Sequence, residues 1–161
     1  SIQVKEPTIK LDRETANIYP PATKTVTFTV TVNGVQGNSG VTWTSGNTKV
    51  ATVSNGKVTA VSKGTATITA KANGKLAKAK VTVKDPYANV SPTSGTIKIG
   101  KTLQLTTNYA PASPGTPSYS SSNKKVATVD SKGVVKGVKA GTATITVKVN
   151  GVTAKAELTV K

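Results

Sequence analysis

The second half of this chain repeats the first. The segment from Ser45 to Lys84 returns from Ser121 to Lys161, with Val50-Ala51-Thr52-Val53 as Val126-Ala127-Thr128-Val129 and Asn73-Gly74 as Asn150-Gly151. Gly64-Thr65-Ala66-Thr67-Ile68-Thr69 likewise returns as Gly141-Thr142-Ala143-Thr144-Ile145-Thr146, after one residue inserted near Lys132. Self-similarity over such a span is the mark of a duplicated folding unit. In 161 residues it leaves room for two small domains, each near the size where core burial becomes thin. The boundary is placed at Lys84-Asp85-Pro86, giving domains 1–84 and 85–161, because the last strand pattern ends there and a proline fixes the backbone and removes a donor.

Within a unit the apolar period is 2. Ala66, Ile68 and Ala70 alternate with Thr65, Thr67, Thr69 and Lys71, and Ala77, Ala79, Val81 and Val83 alternate with Lys78, Lys80, Thr82 and Lys84. One face is buried and the other wet, the pattern of antiparallel sheets. Asn73-Gly74 between these runs signals a type I′ hairpin, whose two central residues both need positive φ, and Asn33-Gly34 and Asn55-Gly56 mark further turns. Strands are expected at Ile9–Leu11, Thr25–Val32, Val41–Thr44, Lys49–Val53, Lys57–Val61, Thr65–Ala72 and Leu76–Lys84. The fold class is therefore all-β, two tandem immunoglobulin-like β-sandwiches of about seven strands each in Greek-key order.

Blocks of one pattern occur in the same order in both halves. In the first they are Val41-Thr42-Trp43-Thr44-Ser45, Val50 to Val53, Gly56-Lys57-Val58-Thr59-Ala60-Val61, Gly64 to Thr69 and Val81-Thr82-Val83. The second repeats the first four as Tyr119-Ser120-Ser121-Ser122, Val126 to Val129, Gly133 to Val138 and Gly141 to Thr146, preceded by Ile99-Gly100-Lys101-Thr102-Leu103-Gln104-Leu105. This arrangement resembles the bacterial Ig-like group 2 domain, over essentially the whole chain. The resemblance implies a non-enzymatic module of bacterial surface proteins of the adhesin or S-layer type. Such a module spaces or presents other parts, outside the cell or on its surface, and assembles with other subunits of a surface layer. The alternative it implies is a phage virion component, a capsid decoration or tail protein. Tyr119 departs from the family pattern, standing where a tryptophan is expected, and so does Asn17-Ile18-Tyr19-Pro20-Pro21-Ala22-Thr23-Lys24, which replaces a compact Ile-Gly-Lys-Thr opening.

Chemistry is narrowed by what the chain lacks. It has no His and no Cys, so the commonest general base, thiol chemistry, disulfides and the usual zinc ligands are missing. Its acids, Glu6, Asp12, Glu14, Asp85, Asp130 and Glu157, are scattered, which offers neither a calcium loop nor a carboxylate pair across a cleft. No catalytic residue, metal site or cofactor is expected. No run approaches the roughly 20 apolar residues of a transmembrane helix.

The charge is +16, with 22 Lys+Arg against 6 Asp+Glu, and Arg13 is the single arginine. Lysine is a hydrated point charge that attracts polyanions without reading them, so no specific nucleic-acid partner is expected, and non-specific nucleic-acid binding stands as a remote alternative. Lys78, Lys80, Lys148 and Lys155 fall on outward strand positions and are the candidate contacts to anionic surface polymers such as teichoic acid, lipopolysaccharide or an acidic capsid. The plainer alternative is a solvated face whose charge deters edge-to-edge aggregation. The stretch from Asn108 to Pro117 is a candidate recognition loop, with Tyr109 as a contact and Pro111, Pro114 and Pro117 as stiffeners, against the alternative of an ordinary connection. Trp43, between Val41 and Ser45, is expected in the first core rather than on a ligand surface.

Overall fold

The computed structural model describes residues 2–161. These form two compact units, the first ending at Asp85 and the second spanning Pro86–Lys161. All regular structure among the described residues is β-strand, and no helix is long and apolar enough to cross a membrane.

The first unit holds β1 (Ile9–Leu11), β2 (Thr15–Ile18), β3 (Thr25–Thr27), β4 (Val30–Val32), β5 (Val35–Gln36), β6 (Thr42–Ser45), β7 (Ala51–Ser54), β8 (Lys57–Ala60), β9 (Gly64–Ala72) and β10 (Lys75–Val83). One layer is a four-stranded sheet in the order β2-β10-β9-β6, in which β2 lies parallel to β10 and the other pairs are antiparallel. The opposite layer consists of β1-β4-β5 and β3-β8-β7, joined because β3 and β4 are one run of chain that changes partner. At the change, Phe28 N–H donates to Gly56 O and Asp12 N–H to Thr29 O. Strands distant in sequence are thus neighbours, as in a Greek key.

The period-2 pattern sets the layers. Ala66, Ile68, Ala70, Ala79, Val81 and Val83 turn inward and are buried with Leu11, Ile18, Val30, Val50, Ala51 and Val58. Phe28 is the largest fully buried side chain of this core. Asn73 and Gly74 take φ of 51° and 74°, the paired positive values that the hairpin between β9 and β10 requires.

The second unit repeats this plan with β11 (Tyr87–Ser91), β12 (Ser94–Ile97), β13 (Thr102–Gln104), β14 (Thr106–Ala110), β15 (Ser118–Ser121), β16 (Ala127–Val129), β17 (Val134–Gly137), β18 (Gly141–Val149) and β19 (Val152–Val160). Its sheets are β12-β19-β18-β15, β11-β14 and β13-β17-β16, and β12 is parallel to β19 as β2 is to β10. Leu105 takes the place of Phe28, with its N–H on Gly133 O.

Three local expectations change. Thr15–Ile18, at the edge of the four-stranded sheet, is a strand outside the expected set: its alternation of Thr15 and Asn17 with Ala16 and Ile18 spans only four residues, and parallel pairing with β10 makes it a strand. The strand expected from Lys49 begins at Ala51, because Val50 N–H and Ala51 N–H both donate to Asn47 O and close a tight turn first. Trp43 packs against the core but is only half-buried, flanking it rather than filling its centre.

Candidate functional site

The four lysines named from the sequence all stand on the outer faces of the four-stranded sheets. In the first unit Lys78 pairs across the ladder with Thr69 and Lys80 with Thr67, while Lys71 lies opposite Thr42 on one side and Leu76 on the other. In the second unit Lys155 is opposite Thr146 and Lys148 is opposite Thr153 on one side and Ser118 on the other. All are exposed. Each face also carries hydroxyls: Thr15, Thr42, Thr44, Thr65, Thr67, Thr69 and Thr82 in the first unit, beside Asn17 and the exposed Leu76, and Ser94, Thr96, Ser118, Ser120, Thr142, Thr144, Thr146, Thr153 and Thr159 in the second, beside Glu157. Alternation alone produces this, since every second residue of β9, β10, β18 and β19 must face water. The surface can offer cationic heads and hydroxyl donors to an extended anion. It forms a sheet face, not a cleft.

The candidate loop is shorter than its sequence limits. Asn108, Tyr109 and Ala110 belong to β14, where Tyr109 pairs with Ala88 and Ala110 with Tyr87, so the connection proper is residues 111–117. Tyr109 is half-buried on a strand and is not a loop-tip contact, which corrects its expected placement. The ladder to β11 captures it, and the prolines begin only after that ladder ends. Pro111 and Pro117 are half-buried and Pro114 is exposed. The loop is tied to the β18–β19 hairpin, whose Asn150 donates from Nδ2 to Pro111 O at 2.6 Å, and Ser118 Oγ donates to Lys148 O at 3.2 Å.

Two polar features were not read from the sequence. Asp12 and Arg13 act as a latch. Asp12 accepts from Thr29 N–H at 3.0 Å and from Arg13 Nη2 at 2.6 Å, and the guanidinium lies 5.6 Å from the Phe28 ring centroid. Partial burial of the Asp12 carboxyl opposes its ionisation. The hydrogen bonds from Arg13 and Thr29 and the guanidinium charge outweigh that and hold it below its ordinary value of 3.8.

The second feature is a pair of backbone carbonyls, one where the long strand changes partner and one in the turn between β7 and β8. Asn38 donates from Nδ2 to Phe28 O at 3.0 Å and to Asn55 O at 3.1 Å, and its Oδ1 accepts from Val30 N–H at 3.2 Å. Gly56 makes this approach feasible: its φ is +81°, and a Cβ there would collide with Phe28 O and the Asn38 amide. In the second unit Gln104 donates from Nε2 to Leu105 O at 2.8 Å and to Lys132 O at 2.9 Å. Lone Asn and Gln residues in loops and strand ends carry no sequence signal for such a role.

The remaining carboxylates stay apart. Asp85 pairs with Lys63 at 2.6 Å and Glu6 with Lys75 at 3.3 Å, all exposed, and no group of three acidic or metal-ligating residues gathers among the described residues.

The family model for the bacterial Ig-like domain (group 2) matches residues 7–83 and again 87–160. A curated relative, a 3-O-alpha-D-galactosyl-alpha-L-arabinofuranosidase of Bifidobacterium longum subsp. longum, is 54% identical over 52 residues, which is 31% of this chain and 5% of that protein. The chain thus spans a small fraction of the curated relative it matches. Among solved structures the chain is similar to the S-layer protein rSbsC(31-844), at 22% identity over 97% of this chain and 28% of that one, with a TM-score of 0.49. Domains 4 and 5 of S-layer protein SbsC are similar at 22% identity over 99% of each chain, with a TM-score of 0.48, and human protocadherin-24 EC1-2 at 11% over 96% and 97%, with a TM-score of 0.38.

Proposed function

The chain belongs to the bacterial Ig-like domain (group 2) family, carrying the domain twice in tandem, and from that premise we propose that it is a non-enzymatic structural module of a bacterial cell-surface protein. In this reading it spaces or presents other parts outside the cell and contacts anionic surface polymers through its lysine-bearing sheet faces. The observation that carries the reading is the placement of Lys78, Lys80, Lys148 and Lys155 on exposed, hydroxyl-rich faces of both four-stranded sheets. Point charges on flexible stems supply attraction with little geometric selectivity, which suits a polymer surface better than a small ligand.

Two measurements test it. Antibody against the chain should label intact cells that carry the full protein, and labelling seen only after lysis would overturn the surface setting. Binding of the chain to cell walls should weaken steeply with salt, because the Debye length shortens from about 30 Å at 0.01 M to about 3 Å at 1 M. Neutralising Lys78, Lys80, Lys148 and Lys155 together should abolish most of it. A second reading, recognition through residues 111–117, draws on the fixation of that loop by Asn150. It predicts binding that survives 1 M salt and disappears when Pro111, Pro114 and Pro117 are replaced.

A further inference from the structure

The two outer sheet faces are not equivalent. In the first unit the outward positions of β9 and β10 carry Lys71, Lys78 and Lys80, and the outward positions of β2, β6, β9 and β10 hold no carboxylate. Glu14 precedes β2 in the chain kink, and among the described residues no ion pair engages Lys71, Lys78 or Lys80. In the second unit the matching positions are Lys148, Lys155 and Glu157, so a carboxylate stands two residues from Lys155 on the same face. Three free cations are thus set against two cations and an anion.

We infer that the first unit's face, in preference to its copy, docks a linear chain of phosphodiester-linked polyols. Lys78 and Lys80 are two residues apart on an extended strand, a spacing of about 6.6 to 6.8 Å, with Lys71 on the adjacent strand. The cations therefore form a track along a flat sheet, which fits a repeating anion and gives no enclosure to a small one. Lysine serves phosphate as a point charge, while carboxylate recognition favours the arginine fork, which this face lacks. Thr67, Thr69 and Thr82 beside the lysines can donate hydroxyls to non-bridging phosphate oxygens. Single-stranded nucleic acid is the less suited polyanion, since it is held largely by stacking on aromatic rings, and the outward positions of this sheet carry none.

The inference rests on the cell-surface reading only for its setting, so its test is made with purified components. Poly(glycerol phosphate) is titrated into the full chain by calorimetry at several salt concentrations. Lys71→Gln/Lys78→Gln/Lys80→Gln is compared with Lys10→Gln/Lys57→Gln/Lys136→Gln, which removes the same charge from outward positions of other strands. The first variant should lose at least about tenfold more affinity than the second and flatten the log–log salt slope by about 2, the change expected for three lost phosphate contacts. Glu157→Lys should add a second site. Equal losses in the two triple variants would overturn the inference by showing that net charge alone attracts the polymer. Tighter binding of oligo-dT of equal phosphate number would overturn it in favour of nucleic acid. Neither outcome affects labelling of intact cells, so the two readings fail separately.

Discussion

Trp43 and Tyr119 occupy the same place in two copies of one fold, each on the strand that borders the four-stranded sheet, opposite Ala70 and Val147 respectively. Tyr119 Oη shares a hydrogen bond with Thr107 Oγ1 at 2.9 Å. Val30 stands in the first unit where Thr107 stands in the second, and Trp43 Nε1 is a buried donor with no partner. Volume is traded as well: Trp43, Phe28 and Ala70 in one core answer to Tyr119, Leu105 and Val147 in the other. The carbonyls at the strand crossover are satisfied in both, by Asn38 from a loop in one copy and by Gln104 from the strand itself in the other. What the duplication has kept is the backbone's requirement, and what it has varied is the residue that meets it. Close packing permits this, because cores accept exchanges that keep total volume and punish those that leave a void.

The largest expected effect lies at the core centres. Phe28→Ala should cost about 3 to 5 kcal/mol and Leu105→Ala about 2 to 5 kcal/mol. Trp43→Ala should cost less than Phe28→Ala, since the indole is half-exposed. Trp43 is the single tryptophan, so its fluorescence reports unfolding of the first unit. Phe28→Ala should move that transition to lower denaturant and Leu105→Ala should leave it in place. If Leu105→Ala moved it equally, the two copies would share their stability and the comparison would have to be made on one cooperative body.

A smaller difference separates the two crossover amides. Removing either leaves two backbone carbonyls unsatisfied, at about 1 to 3 kcal/mol where the group is buried. Asn38 makes three such bonds and Gln104 two, so Asn38→Ala should destabilise its unit more than Gln104→Ala does. Thermal unfolding by circular dichroism, with Trp43 fluorescence isolating the first unit, checks the order. The reverse order would mean that water replaces Asn38 more readily than it replaces Gln104.

These contrasts also mark where the sequence was legible. Ala66, Ile68, Ala70, Ala79, Val81 and Val83 announce their burial by alternation, and Asn73-Gly74 announces its turn by the positive φ both residues adopt. The outward placement of Lys78, Lys80, Lys148 and Lys155 follows from the same period. Other features depend on partners far along the chain. Phe28 lies in a run of threonines and valines, and only the change of partner there, from β8 to β1, makes it the centre of the core. Thr15–Ile18 is a strand because β10 lies beside it. Tyr109 looks like a loop residue among prolines until the ladder to β11 claims it. The contrast between Lys80 and Glu157 was visible as two letters, but its meaning waited on the register that puts both on one outward position.

The smallest expected effect concerns the kink between the first two strands, which is held by charge in one copy alone. Asp12 accepts from Thr29 N–H and from Arg13, whereas the matching residue of the second unit, Ser91, precedes Pro92 and has no ionisable group. Because the folded carboxyl titrates below its ordinary value of 3.8, the ionised form is favoured by folding. Its contribution is therefore complete above that value and is lost as pH falls through the lower folded pKa. Asp12→Asn keeps an acceptor for Thr29 N–H but removes the charge facing Arg13, so it should lower the stability of the first unit at neutral pH by no more than about 1 kcal/mol, the range of partly exposed ion pairs. Urea midpoints from Trp43 fluorescence should then differ between the protein and the variant at pH 7 and converge in strong acid, below about pH 4. A difference that persists unchanged to pH 2 would show that shape, not charge, holds the kink. The arginine over the Phe28 ring would then do in the first unit what Pro92 does in the second.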